Sequence, residues 1–133
     1  MHDEAINKLK VIQDNIENLN RNTIKTNIIC ISKTFSIHKL KPLIDFGHRH
    51  FGENKVQEAE EKWTEIKKIN KDLKIHMVGK LQTNKVKKAV NLFDFIHSLD
   101  SPKLADVLKK TEEEFDKKIS YFIQINIGNE TQK

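Results

Sequence analysis

The stretch IICISK, residues 28–33, decides the fold. Its apolar run is too short for a helix and rich in β-branched isoleucine, so it reads as a buried strand. The strand ends on Lys33. In α/β folds the carboxyl ends of interior strands are where ligands bind. A lysine desolvated there has its ammonium form disfavoured, and the resulting free amine can attack a carbonyl carbon. From this stretch alone the plainer reading, that Lys33 merely starts a loop, is the favoured one. The strand alone leaves both readings open.

Outward from this strand the chain alternates. Residues 3–19 place Ala5, Leu9, Ile12, Ile16 and Leu19 on one face of an amphipathic helix. Asn20, Asn22 and Asn27 bracket the loop that leads into the first strand. Beyond Lys33, Ser36 is the candidate cap of a helix with Ile37, Leu40, Leu43 and Ile44 inward, closed by Gly47. Pro42 either marks where the regular helix starts or kinks it. A brief strand is expected over 49–52, then a helix over 53–69 with Val56, Ala59, Trp63 and Ile66 on one face. A strand over 74–78 ends at Gly79, and a basic helix over 85–93 directs Val86, Ala89, Val90 and Phe93 inward. A strand follows at 95–99. Ser101 and Pro102 form an N-cap and first-turn pair for a helix through Leu104, Val107, Leu108 and Phe115. Residues 119–127 alternate, with Tyr121, Ile123 and Ile125 opposite Ser120, Phe122, Gln124 and Asn126.

A helix, four strand–helix units and a fifth strand imply parallel βαβ connections. No G-x-G-x-x-G follows a strand and no G-x-x-x-x-G-K-[ST] is present, so dinucleotide and P-loop readings lose their main support. A barrel-type α/β fold fits better. Such a barrel needs eight strands and about 250 residues. This chain supplies about five strands in 133 residues, and no repeat, linker or low-complexity tract divides it.

The net charge of +5 does not make a nucleic-acid reader. Arg21 and Arg49 are the only arginines, and the lysines are interleaved with acids, as in EAEEKWTEIKKINKDLK at 58–74. That is the pattern of a solvated helix face, whereas a nucleic-acid footprint is clustered. No stretch approaches the ~20 apolar residues of a membrane span. The N-terminal MHDEAINKLK is neither a secretory h-region nor an Arg-rich transit peptide. Cys30 is the single cysteine, so no disulfide framework exists, and a reducing cytoplasm is the expected location.

Other constellations have plainer readings. His48 and His50 form H-x-H, with His76, His97 and Glu53 elsewhere, but no Asp or Lys at a later strand end completes a metal set. Exposed or packing histidines are expected. Cys30 has the opposite strand parity to Lys33 and should face the outer helices as a small hydrophobe. Trp63 reads as core, and the run Glu58, Glu60, Glu61 as a solvated face.

Five segments in order carry a resemblance: ISKTFS at 31–36, FGENKVQEAEEK at 51–62, IHMVGKLQTNKVK at 75–87, IHSLD at 96–100 and QINIGNETQK at 124–133. Together they resemble the pyridoxal phosphate homeostasis proteins (YggS/PROSC-like). The resemblance implies an alanine-racemase-like (β/α)8 TIM barrel, of which residues 1–133 would be the truncated N-terminal part, with about the first five strands. It implies that Lys33 holds pyridoxal 5′-phosphate as a Schiff base and that Asn54 contacts the cofactor from the second strand end. His76 and Ser98, at later strand ends, would line the pocket, and Lys133 matches a lysine that precedes Ser-Gly in the family pattern. The family's phosphate-cradling loops and the arginine near its pyridine nitrogen belong to the second half of the barrel.

The cofactor supplies the electron-sink chemistry. A racemase also needs a second acid/base on the opposite face of the cofactor, which in related racemases comes from a second domain or a partner subunit. A Schiff base without that group suits a non-catalytic holder that passes pyridoxal phosphate to apo-enzymes. A racemase fragment and a ligand-free remnant are the alternatives. Unpaired edges at the first and fifth strands lead us to expect instability or self-association.

Overall fold

A computed structural model of the chain describes residues 3–19 and 25–128. The loop asparagines Asn20 and Asn22 and the family match at Lys133 lie outside them. The elements run α1 (Glu4–Leu19), β1 (Cys30–Ile31), α2 (Ile37–Phe46), β2 (His50–Glu53), α3 (Val56–Ile69), β3 (Lys74–Met77), a 3-10 turn (Thr83–Lys85), α4 (Val86–Leu92), β4 (Phe95–Leu99), α5 (Pro102–Phe115) and β5 (Ser120–Ile123). All strand pairs are parallel and the sheet order is β1-β2-β3-β4-β5. Each strand neighbours its predecessor, without the order reversal of a doubly wound sheet. This is the strand progression of the expected (β/α) barrel.

The register divides the side chains by face. Cys30, Phe51 and Ile75 share one row, and Glu53, Met77, Ile96 and Tyr121 the next. These rows face the helices. Phe51, Ile75, Met77 and Ile96 are buried against Trp63, Val86, Ala89, Val90, Leu104 and Leu108, in one core. Trp63 is fully buried, with its ring centroid 4.8 Å from Phe51. The half-buried Cys30 packs on this core, on the helix side expected from its parity, where burial raises its thiol pKa. The opposite, concave face carries Ile31, Gly52, His76, Phe95 and Ser120 in register.

Several boundaries differ from the sequence reading. β1 is two residues long rather than six, because its one neighbour, β2, pairs only Cys30 and Ile31. β2 extends through Glu53, and α3 starts later, at Val56. β5 stops at Ile123, leaving Ile125 and Ile127 exposed. Helix α2 starts at Ile37 and runs through Pro42, whose missing N–H deprives the His38 carbonyl of its helical donor. Gly47 ends it at φ 109°, the left-handed position expected of it. Ser36 occupies the N-cap of α2 but its hydroxyl makes no capping bond. Ser101 does cap α5, accepting from the Leu104 N–H at 3.2 Å. In α1 only Leu9 is fully buried, while Ile12 and Leu19 are exposed, because this helix rests beside α2 at the sheet's margin.

Both outer strands have an unpaired edge within the described residues, and Ile31, Phe122 and Ile123 stand exposed there. Such edges template pairing with further chains. The 133-residue chain is expected to sediment as a concentration-dependent oligomer, and Ile123→Lys to shift it toward monomer. A monomer at every concentration would contradict this.

Candidate functional site

The residues singled out from the sequence gather at the carboxyl edge of the sheet and on its concave face. β1 leaves the sheet through a turn closed by the Phe35 N–H donating to the Ser32 carbonyl at 3.2 Å. Lys33 and Thr34 are its central residues. Thr34 has φ 68°, where a turn normally places Gly or Asn. For a β-branched residue this costs on the order of 1–2 kcal/mol. The compensation is visible: the Thr34 N–H donates to Glu58 Oε2 at 2.6 Å. Lys33 itself is exposed, and among the described residues it makes no hydrogen bond or ion pair. Lys33 is not desolvated as expected, because among the described residues β1 is a short edge strand with no neighbour on its outer flank.

Behind this turn lies a buried ionic cluster. The carboxylate of Glu53, with no exposed surface, accepts from Ser32 Oγ at 2.5 Å, Trp63 Nε1 at 3.0 Å and Lys62 Nζ at 3.0 Å. The Lys62 ammonium also donates to the Ser32 carbonyl at 2.7 Å and to Glu58 Oε2 at 3.0 Å. Its three protons thus serve three acceptors. Glu58 is held below the usual carboxylate range by Lys62 and, after it, by the Thr34 N–H. Glu58 is therefore not part of a merely solvated face, as its run of acids implied. It lies one turn before Lys62 on α3, and that i,i+4 pair points back toward β1.

The concave face carries a chain of imidazoles. His50 Nδ1 lies 2.9 Å from His76 Nε2, and His76 Nδ1 lies 2.9 Å from His97 Nε2. The His76 ring stacks on Phe95 with centroids 4.3 Å apart, and His97 stacks on Phe122 at 4.4 Å. Burial, and then the two neighbouring imidazoles, hold His76 at about 4, against an ordinary 6.5. His50 and His97 are pushed down too, in both cases chiefly by burial. A neutral His76 donates through one ring nitrogen and accepts through the other, so its polar atoms are committed to its neighbours. It sits inside β3, one residue before the strand's end. His48 is a packing histidine, bonded through Nε2 to the His50 carbonyl at 2.7 Å and edge-on to Phe51. Among the described residues no group of three or more candidate ligands is placed to hold a metal ion.

Asn54 and Ser98 are joined through Gly79. The buried Ser98 Oγ donates to the Gly79 carbonyl at 2.7 Å. A Cβ on Gly79 would overlap the Asn54 backbone, so only glycine permits this approach. The ends of β2, β3 and β4 thus meet in one continuous line. Sequence reasoning missed Ser32 and Lys62, considered Glu53 only beside a metal set, and expected His50 and His97 to be exposed or packing histidines. The i,i+4 spacing of Glu58 and Lys62 was the readable signal. The partners of Glu53 come from two separate places, the turn after β1 and α3, and left none.

The arrangement offers an unpaired primary amine on a clamped turn at the sheet's carboxyl edge, and an aromatic and imidazole row on the sheet face turned away from the helices. A family profile described as alanine racemase, N-terminal domain, matches residues 8–130. The chain is 38% identical over 109 residues to a pyridoxal phosphate homeostasis protein of Buchnera aphidicola subsp. Schizaphis graminum, covering 82% of this chain and 47% of that protein. It is also similar to the solved structures of PipY from Synechococcus elongatus. One, without pyridoxal phosphate, gives a TM-score of 0.76 at 35% identity, covering 90% of this chain and 56% of that one. The other, with pyridoxal phosphate bound, gives 0.73 at 34% identity, covering 87% and 55%. The chain spans about half the length of these relatives.

Two outcomes follow from the buried groups. Lys62→Met leaves the Glu53 carboxylate without its cation, and is expected to lower the free energy of urea unfolding by about 3 kcal/mol. Because folding lowers the His76 pKa, the unfolded chain binds more protons between pH 6.5 and about 4. Stability is then complete above pH 6.5 and falls as pH drops through that window, with His76 contributing on the order of 2 kcal/mol. Urea midpoints measured from pH 7.5 to 4 should show that decline, with a shallower slope in His76→Phe.

Proposed function

We propose that this chain, which belongs to the alanine racemase N-terminal domain family, binds pyridoxal 5′-phosphate and serves cofactor homeostasis rather than turnover. The observation that carries this reading is Lys33, an exposed and unpaired amine held on a strained, clamped turn at the end of β1. Its fit to the group is chemical. Lys33 would hold the group through its amine nitrogen, the aldehyde oxygen being lost as water with the two amine protons. When bound, the cofactor supplies an electron sink.

The chain's own residues orient that encounter. Asn54 stands just past the end of β2, where the Gly79 backbone packs on it, and its amide would be the group that contacts the cofactor. His76 and Ser98 act through shape. The imidazole chain and the Ser98–Gly79 bond fix the floor and the β4 end, with their polar atoms already engaged. A neutral His76 with both nitrogens committed is a poor second acid/base, which favours holding over racemisation. The relatives carry the name pyridoxal phosphate homeostasis protein, and PipY has been solved with pyridoxal phosphate bound. Handing the cofactor to apo-enzymes in the cytoplasm, through a complete barrel whose second half supplies the phosphate contacts, completes the proposal. No helix among the described residues is long and apolar enough to cross a membrane.

The test is an absorbance spectrum of the chain with pyridoxal phosphate, before and after borohydride, beside Lys33→Ala. The expected result is a reducible adduct mapped to Lys33 and absent from the variant. Adducts spread evenly over surface lysines, unchanged in Lys33→Ala, would overturn the reading.

A further inference from the structure

We propose that Glu58 and Lys62 are positioning residues for Lys33: they lock the Ser32–Phe35 turn in the one conformation that presents its amine to an aldehyde. The inference rests on the reading of Lys33 as the attachment point, and it extends that role to two side chains that touch no ligand.

The turn does not hold itself. Thr34 sits at a positive φ that a β-branched residue resists, and no glycine or asparagine is present to make it favourable. Its backbone donates to Glu58 Oε2 at 2.6 Å, a short charge-assisted bond. The carbonyl that closes the turn, Ser32 O, is clamped from the other side by Lys62 Nζ at 2.7 Å. Lys62 also bonds Glu58 Oε2 at 3.0 Å, so the two clamps are one device. Glu53 anchors it by holding both Lys62 and Ser32 Oγ. Lys33 lies between the clamped carbonyl and the clamped N–H, with its side chain free. Both clamps come from α3, a helix fixed by the buried Trp63, so the amine is referenced to the core and not to the edge strand alone. Misplacing a reacting group by about 1 Å can cost 100-fold in rate, which is reason enough to restrain an otherwise exposed lysine.

The experiment uses the full chain and two readouts. Lysines are labelled with pyridoxal 5′-phosphate in a short pulse, reduced with borohydride and quantified peptide by peptide. Exchange of the Thr34 amide is followed by NMR. Glu58→Ala removes one clamp from a partly exposed position, where the core is not disturbed. It is expected to speed Thr34 amide exchange and to cut the rate at Lys33 about ten-fold relative to the other lysines. Thr34→Gly added to Glu58→Ala removes the conformational penalty, and should bring the Lys33 rate back to within about three-fold of the parent. Fast Thr34 exchange with an unchanged Lys33 rate would overturn the positioning role, as would a loss that Thr34→Gly does not restore. Uniform labelling of the parent chain would instead overturn the assignment of Lys33, and this inference with it.

Discussion

The structure depends on one buried carboxylate. Glu53 is at the end of β2 with no exposed surface, and a charge in that position is tolerable only if fully partnered. Its partners come from different parts of the chain: Ser32 just after β1, and Lys62 and Trp63 on α3. The two-residue ladder of β1 is a weak attachment by itself. The carboxylate adds a polar bolt from strand to strand to helix, and the same atoms that fasten the edge also orient the indole at the centre of the core. Stability and site geometry therefore share a residue, and neither can be altered through Glu53 without the other.

The two faces of the sheet follow different physics. Toward the helices the packing is apolar and dense, with Phe51, Ile75, Met77 and Ile96 on the sheet side. On the concave side, rings replace aliphatic chains. Phe95 and Phe122 stack on the imidazoles of His76 and His97, which are hydrogen-bonded to one another and, through His76, to His50. Flat rings with fixed edges make a firm, low-relief surface. Neutral imidazoles keep it free of charge at neutral pH, and the cations that act on its His50 end are Lys74 and Lys25.

Most of the fold could be read from the sequence, because its main determinants are periodic. The faces of α3 and α4, the Ser101 cap and the Gly47 terminator all follow local rules, and each stands where expected. The failures are non-local. The length of β1 depends on whether a neighbour exists to pair with it, and Lys33 is exposed for the same reason. The inward stripe of α1 is periodic, yet only Leu9 finds full cover, since periodicity names a face and not what lies against it. Among the candidate site residues, Lys33, Asn54, His76 and Ser98 were visible as motif positions, but the connection of Asn54 to Ser98 through a glycine backbone was not. Glu58 was misread because an acid among acids on a helix looks solvated until its strand-side partner is known.

The sequential strand order has a consequence for how the chain acquires its shape. Each new pairing closes a loop of about twenty to twenty-five residues, from Cys30 to Phe51, Phe51 to Ile75, Met77 to Ile96 and Ile96 to Tyr121. No pairing has to wait for a distant segment, so the entropy of loop closure is met in small, equal instalments. The sheet can grow from a ribosome in the order in which it is synthesised, each unit laying its strand on the last. The five described strands thus form a series whose free edge at β5 a further unit, on this chain or another, can extend.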